Sequence, residues 1–453
     1  MRVLEQLEPQ GVFRFFEELC AIPHGSRNCQ AVSDWCAAFA RERGLECHQD
    51  QAGNVIIIQE ATPGYEAAAP VILQGHLDMV CEKEPGCTKD MAGEGLDLLV
   101  EDGRIAAVGQ LNPAGLRVKN LGGRMLAPGF LDLHTHGGDG VDVNAATVED
   151  LGKIGRFFAR HGTTGWLCSI LTDTPEQTLW CIGQAKAAME APADGAQLLG
   201  IHLEGPFLCY AKRGAQAAEN LHEPDASMFH RLNEASGGMV RLITVAPEEE
   251  GAIPFIREVS QTCTVSLGHT TAGYETAMAA YGAGASHATH LFNAMPSFLH
   301  REPGVIGAAL DSGATVELIC DGLHIHPAVI RATHKLFGDK LVIISDSLRC
   351  AGMPDGEYEL GGQPIEMKGG KATLRGTDTL AGSSSNLLSE LQNVVAFGLP
   401  LEDAVTALTL APARAVRLDH QIGSLAVGKQ ADLVLLNPDL TLDSVYVDGE
   451  KVR

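Results

Sequence analysis

From about residue 129 onward, short apolar runs alternate with amphipathic helical patterns. Eight of these runs are bounded by glycine and polar residues, which predicts eight strands. They lie near 129–134, 165–171, 198–204, 240–246, 264–269, 286–290, 315–321 and 341–346. Repeated strand–helix units predict a parallel sheet, and eight of them predict an α/β protein with a TIM (β/α)8 barrel. We expect this barrel to occupy residues 128–422.

Shorter strand patterns flank the predicted barrel. Two apolar runs within 95–109 are joined by Asp-Gly, a typical hairpin signal, and similar runs lie at 431–436 and 445–452. We therefore expect a small β-sandwich built from 96–127 and 423–453. Paired glycines and short strand patterns near 356–380 predict a β-hairpin inserted into the last barrel unit.

Residues 1–92 follow a different pattern and predict a truncated α/β segment. Apolar spacing indicates one helix near 12–19 and a second over 30–43, and strands are expected at 54–59 and 70–74.

The composition restricts the partners and the compartment. The net charge is −24, which argues against nucleic acid or an anionic membrane as the main partner. The apolar runs fall short of the roughly 20 residues that a membrane span needs, and the N-terminus lacks the apolar region of a signal peptide. The 12 cysteines lack Cys-x-x-Cys spacing, so we expect reduced thiols in a cytoplasmic protein.

The predicted barrel strands end in residues that bind metals. His134 and His136 end the first strand, and because residues i and i+2 point to the same side, both imidazoles can reach one ion. Later strands end in Glu204, His269, His290, Asp321 with His324, and Asp346. Imidazole and carboxylate ligands suit a catalytic divalent metal, which activates water and polarises a carbonyl group. Asp346 can then act as general base and general acid.

Several longer motifs extend this pattern from about residue 96 to the end. They are PGFLDLHTHGGDGVD, HLEGPFL, SLGHTTAGY, ATHLFNAMPSFLHREPGVIG, DGLHIHP, SDSLRCAG and TLAGSSS. This part of the chain resembles the N-acetylglucosamine-6-phosphate deacetylases of the amidohydrolase superfamily. The resemblance implies hydrolysis of the N-acetyl group of a small sugar phosphate by a cytoplasmic homodimer. It also implies one or two divalent ions (Zn, Fe or Mn) per subunit.

The resemblance assigns roles to individual residues. Glu204, His269 and His290 would bind the main metal, His134 and His136 a second ion, and Asp346 would be catalytic. The residues implied in substrate binding are Gln216, Asn293, Ala294, Arg301, His324, Leu380, Ala381 and Gly382. Many relatives have histidine where this chain has Gln216. Arg301 would contact the phosphate, across the dimer interface.

The first 92 residues resemble a different family, the aminoacyl-histidine dipeptidases among the zinc peptidases. The matching stretches are Ile22–Ser26, Asp50–Asn54 and GHLDMVCEK. His76 and Asp78 in the last stretch lack the later ligands that such a peptidase needs, so we expect a catalytically empty fragment. It stands where deacetylase relatives carry the first strand of their sandwich.

Two other interpretations stay open at this stage. The barrel could be another amide hydrolase, such as a D-aminoacylase or a dihydroorotase, although those typically carry a carboxylated lysine or a cysteine where Glu204 stands. The HLEGPF motif and Arg301 favour the sugar phosphate. Alternatively, the chain could be an inactive chimera whose sandwich is incomplete.

Overall fold

The computed structural model describes residues 10, 14–15, 18–19, 21–22, 29–50, 53–59, 97–109 and 111–453. The chain divides into two compact units. The first comprises Met1–Asp97 with Gly109–Asn112, and the second comprises Leu98–Val108 with Pro113–Arg453. Within the described residues, every helix is too short or too polar to cross a bilayer.

The first unit contains one complete helix and one hairpin among its described residues. Helix α1 (Gln30–Glu42) is followed by strands β1 (Glu46–Gln49) and β2 (Val55–Ile58), which pair antiparallel. The helix buries Val32, Ala37 and Ala40, as its amphipathic pattern predicts. The predicted helix at 30–43 and strand at 54–59 are confirmed. The predicted strand at 70–74 and the GHLDMVCEK stretch lie outside the described residues.

The remaining strands belong to the barrel and to smaller sheets around it. In chain order they are β3 (Asp97–Glu101), β4 (Arg104–Gly109), β5 (Met125–Pro128), β6 (Phe130–Asp132), β7 (Gly137–Gly138), β8 (Val141–Asp142), β9 (Thr163–Leu171), β10 (Gln197–Glu204), β11 (Val240–Val245), β12 (Thr264–Leu267), β13 (His287–Ala288), β14 (Thr315–Ile319), β15 (Leu341–Ile344), β16 (Gly356–Leu360), β17 (Gln363–Lys368), β18 (Lys371–Leu374), β19 (Leu433–Leu436), β20 (Leu442–Val447) and β21 (Glu450–Lys451).

Helices connect most barrel strands. They are α2 (Val148–Ala159), α3 (Pro175–Glu190), α4 (Ala226–Ala235), α5 (Ala252–Val259), α6 (Tyr274–Ala283), α7 (Gly304–Ser312), α8 (Pro327–Phe337), α9 (Leu387–Ala396), α10 (Leu401–Leu408) and α11 (Leu410–Ala415). Their starts follow sequence signals: Thr147 and Asp150 form a capping box on α2, and Thr174 caps α3 just before Pro175.

Eight parallel strands form the barrel sheet, with β6, β9, β10, β11, β12, β13, β14 and β15 as successive neighbours. They coincide with the eight predicted strands, so the barrel prediction is confirmed. Strand β9 is buried along its whole length, as expected of a parallel strand covered on both faces. The ring is nearly closed where the chain after β6 meets the chain after β15. There the Asp346 N–H donates to the His134 carbonyl at 2.9 Å, and the His136 N–H donates to the Ser347 carbonyl at 2.8 Å.

The strands of the flanking sheets come from both ends of the chain region after residue 96. Strands β5, β19, β20 and β21 form an antiparallel sheet, while β3 and β4 form a hairpin. Ile105 on the hairpin is buried against Ala431 and Leu433 of the larger sheet, which makes a small sandwich. The insertion predicted as a hairpin contains three strands, β16 to β18, in an antiparallel sheet that packs against Leu171 and Leu348.

Candidate metal centre at the ends of the barrel strands

Six buried side chains of types that can bind a metal converge beyond the C-terminal ends of the barrel strands. They form two groups of three, His134 with His136 and Asp346, and Glu204 with His269 and His290. Within each group, the possible ligand atoms all lie within 4.8 Å of one another. The structure therefore brings together all five predicted metal ligands and the predicted acid/base residue.

Glu204 joins the two groups into one cluster. Its Oε1 lies 3.1 Å from His269 Nε2, 3.2 Å from His290 Nε2 and 3.2 Å from His134 Nε2, and its Oε2 lies 3.3 Å from His136 Nε2. Asp346 Oδ1 lies 3.4 Å from His136 Nε2 and 3.6 Å from His134 Nε2. The Glu204 carboxylate is thus in position to face an ion in either group.

The hydrogen bonds of the other ring nitrogens fix which atoms face the cluster. His134 Nδ1 lies 3.0 Å from Glu317 Oε2, His136 Nδ1 lies 3.0 Å from the Ser169 carbonyl, and His269 Nδ1 lies 2.8 Å from the Lys212 carbonyl. Because these oxygens only accept hydrogen bonds from the rings, each Nδ1 donates its proton and Nε2 is the ring atom that faces the cluster.

This donor arrangement fits a divalent cation. The His134 and His136 Nε2 atoms are 3.2 Å apart, and the His269 and His290 Nε2 atoms are 3.0 Å apart. Lone pairs of His134 and His136 at that separation repel each other unless a proton or a cation lies between them. Buried neutral imidazoles facing carboxylates are the usual ligand set of divalent transition metals.

The electrostatics of the cluster favour positive charge. Burial lowers the pKa of His134, but the carboxylates of Glu204, Asp346 and Glu317 outweigh it and hold this pKa well above its usual value. Burial raises the pKa of Glu204, but His134 and His269 hold it well below its usual value. The carboxylates thus create the negative potential that attracts a cation into a buried site.

Three of the six cluster residues have left-handed backbone conformations, with φ of 47° at His269, 26° at His290 and 48° at Asp346. Such conformations are uncommon outside glycine, and they cluster at functional sites where surrounding contacts enforce them. The turns that follow the strands therefore hold these side chains at a cost in backbone energy.

The backbone packs closely around Gly382, which has φ of 62°. A Cβ at this position would lie 2.9 Å from the Asp346 carbonyl oxygen and 2.6 Å from Leu348 Cδ2. The neighbouring Ala381 is buried, and Leu380 is half-buried. The last loop therefore packs directly against the segment that carries Asp346.

Other residues predicted to bind substrate lie around the cluster at differing depths. Asn293 donates an amide hydrogen to the His290 carbonyl at 3.2 Å, and the Ala294 carbonyl accepts from the Thr270 N–H at 3.0 Å. His324 Nδ1 lies 2.8 Å from Asp321 Oδ2. Arg301 is exposed, with its guanidinium 2.7 Å from His300 Nε2. Within the described part of this one chain, Arg301 is not in contact with the cluster.

Gln216 lies directly beside the cluster. Its side chain is buried, its Nε2 donates to Glu204 Oε2 at 2.6 Å, and its Oε1 accepts from the Thr172 N–H at 2.8 Å. The substrate contact implied for Gln216 stays a prediction. These two bonds turn the amide nitrogen toward the Glu204 carboxylate.

Two buried polar residues beneath the cluster were missed at the sequence level. Glu317 lies on β14 and contacts His134, while His202 lies on β10 with its ring centroid 4.6 Å from that of His134. His202 bonds Ser169 Oγ and Thr244 Oγ1, both at 2.9 Å. The available signal was a charged or polar residue inside an otherwise apolar strand.

Comparisons with known proteins show the family of the barrel region. The model of the amidohydrolase family matches residues 125–452. The N-acetylglucosamine-6-phosphate deacetylase of Vibrio furnissii is 35% identical over 72% of this chain and 82% of its own length. The N-acetylgalactosamine-6-phosphate deacetylase of Escherichia coli O157:H7 is 34% identical over 78% of this chain and 93% of its own.

A solved structure is similar over the same extent. The N-acetyl-D-glucosamine-6-phosphate deacetylase of Mycobacterium smegmatis, in complex with N-acetyl-D-glucosamine-6-phosphate, superposes with a TM-score of 0.74 at 36% identity. The match covers 78% of this chain and 94% of that one. These matches do not support the resemblance of residues 1–92 to dipeptidases, which stays a prediction. From residue 125 to residue 452, the chain belongs to the amidohydrolase family.

Proposed function

We propose that the protein hydrolyses N-acetylglucosamine 6-phosphate to glucosamine 6-phosphate and acetate. The observation that carries this proposal is the cluster of two three-residue groups joined by Glu204, in a chain 35% identical to a deacetylase of that specificity. Glutamate at this position argues against the D-aminoacylase and dihydroorotase alternatives.

In this proposal, Glu204, His269 and His290 hold the main divalent ion, and His134 and His136 hold a second ion. The ring orientations of His134, His136 and His269, which their Nδ1 bonds fix, and the shared Glu204 carboxylate support the assignment. Zn, Fe and Mn ions all accept such ligands. When bound, the metal lowers the pKa of water and polarises the acetyl carbonyl group.

Asp346 is proposed to move the proton. Its carboxylate takes a proton from the water that attacks the acetyl carbon. It then returns that proton to the amide nitrogen as the C–N bond breaks, releasing acetate and a free amine. Its position 3.4 Å and 3.6 Å from two histidines of the cluster supports this role.

The remaining predicted residues are proposed to bind the sugar phosphate. Arg301 would form paired hydrogen bonds with the phosphate, which guanidinium geometry favours. Its exposure in the single chain fits a contact made across a homodimer. The other proposed substrate contacts are Gln216, Asn293, Ala294, His324, Leu380, Ala381 and Gly382. We also propose that the enzyme works in the cytoplasm.

The proposal is tested by measuring acetate release with metal analysis of the same sample. N-acetylglucosamine 6-phosphate, its galactosamine isomer and unphosphorylated N-acetylglucosamine are compared, with an N-acyl-D-amino acid and dihydroorotate as controls. We expect rapid acetate release from the first substrate and at least one bound ion per chain. A metal-loaded, folded protein that releases no acetate from either phosphorylated sugar would refute the proposal. A thermal melt with and without metal separates this outcome from that of an unstable chimera.

A further inference from the structure

A single carboxylate on the barrel wall contacts both halves of the cluster. Glu317 lies on β14 and is completely buried. Its Oε2 accepts from His134 Nδ1–H at 3.0 Å and from the His290 backbone N–H at 3.1 Å. Its Oε1 lies 3.1 Å from His287 Nε2. His134 belongs to one group of three and His290 to the other.

Each of these bonds fixes a feature that the ligands need. Because the carboxylate only accepts, the bond to His134 holds its proton on Nδ1 and turns the Nε2 lone pair toward the cluster. The bond to the His290 N–H holds a residue whose φ is 26°, a conformation that its own backbone does not favour. The two contacts act on different groups through one oxygen atom.

The second oxygen anchors the carboxylate. His287 lies on the neighbouring strand β13, and its other ring nitrogen, Nδ1, lies 2.6 Å from Thr315 Oγ1 on β14. A buried carboxylate is costly unless several donors satisfy it, and here three donors do so. Residues at buried positions of parallel strands are usually apolar, so packing alone does not explain a glutamate here.

We propose that Glu317 is a positioning residue that maintains metal binding in both groups at once. This inference rests on the proposed metal ligands and extends them. In this inference Glu317 affects both groups, whereas His134 is proposed to bind only the second ion. Removing Glu317 should therefore weaken the tightest bound ion as well, through His290, whereas removing His134 should not.

The experiment measures Zn²⁺ affinity and stoichiometry by competition with a chromophoric chelator, in the full chain. For Glu317→Leu we expect the affinity of the tightest ion to fall about 10- to 100-fold, the usual effect of losing a partner that orients a metal ligand. His134→Ala should leave that tightest affinity within a few-fold of wild type. A matched control is Glu390→Leu. Glu390 lies on α9, and its carboxyl group is also completely buried, near Cys320 and Ser385. This variant should leave Zn²⁺ affinity unchanged.

Glu317→Gln provides a second test in case the leucine variant does not fold. The amide oxygen can replace Oε2 toward His134 and the His290 N–H. The amide nitrogen can face His287 Nε2 if the proton of His287 moves to Nδ1, where Thr315 Oγ1 can accept it. This variant keeps the hydrogen bonds but loses the charge, so we expect a smaller fall in affinity of about tenfold, with unchanged stoichiometry.

Wild-type Zn²⁺ affinity in a folded Glu317→Leu variant would overturn the inference. If the leucine variant is unfolded, wild-type Zn²⁺ affinity in Glu317→Gln would overturn it instead. An equal loss of affinity in Glu390→Leu would also overturn it, because the effect would then be a general one of buried carboxylates. A wild-type protein that binds no Zn²⁺ would refute the metal assignment itself. A protein whose variants behave as expected but which releases no acetate would refute only the proposed function.

Discussion

Replacing Asp346 by asparagine tests the proton-transfer role with little disturbance to the structure. Asparagine is one of the few residues that tolerates a left-handed backbone, so φ of 48° is retained. The two backbone bonds of this residue, its N–H to the His134 carbonyl and its carbonyl to the Ser383 N–H, do not involve the side chain. Glu204 and the histidines of the main group are also unchanged.

The magnitude follows from what the carboxylate does. An amide cannot take the proton of the attacking water, and the loss of a general acid/base lowers kcat by about 10²–10⁴. This corresponds to about 2.7–5.5 kcal/mol in the activation barrier. We expect kcat to fall by that amount, with the main metal retained and the melting temperature nearly unchanged.

The assay is steady-state acetate release, with elemental analysis of the same preparations. Asp139→Asn is a matched control, because Asp139 also has a left-handed backbone (φ of 52°) but pairs with Arg160 outside the cluster. The control should retain full turnover. A metal-loaded Asp346→Asn with kcat within a few-fold of wild type would refute the role of Asp346.

Four further predictions follow from the same geometry. Glu204→Ala should lose the main metal whereas His134→Ala should lose at most a second ion, and full metal occupancy in Glu204→Ala by elemental analysis would contradict the ligand assignment. Arg301→Ala should raise KM for the phosphorylated sugar by about 10- to 150-fold, from roughly 1.5–3 kcal/mol for a charged hydrogen bond, and an equal effect on the unphosphorylated sugar would show that Arg301 does not bind the phosphate. Gln216→Leu removes the amide 2.6 Å from Glu204 Oε2 and should weaken Zn²⁺ binding about 10- to 100-fold in a chelator competition; unchanged affinity would show that the bond is dispensable. His76→Ala should leave deacetylase turnover unchanged, and hydrolysis of an Xaa-His dipeptide that this substitution abolishes would contradict the prediction of an empty N-terminal fragment.

The barrel was predictable because its strands are buried on both faces. Strand β9 is apolar or small along nearly all of its buried length, and such runs stand out between amphipathic helices. The cluster residues were predictable for a related reason. A polar side chain directly after an apolar strand lies on the face of the barrel where the loops meet.

Other features depend on contacts that sequence spacing does not specify. Gln216 turns toward Glu204 because the Thr172 N–H holds its other amide atom, and that partner is 44 residues away. Glu317 lies inside a strand rather than at its end, so the strand-end argument overlooks it. The third strand of the insertion pairs with β17 through a turn at Gly369 and Gly370, and only the pairing shows that it completes a sheet.

The contact between the chain after β6 and the chain after β15 has a consequence for assembly. The Asp346 N–H meets the His134 carbonyl only when the first and last barrel strands, about 212 residues apart, have come together. A chain still being synthesised, or one cut before β15, lacks Asp346 and this contact, however well its earlier strands have folded. Because loop closure of this length is slow, the complete cluster should form late in folding. Bound metal would then stabilise the contact between the first and last barrel strands. Metal uptake would therefore indicate that the barrel is complete.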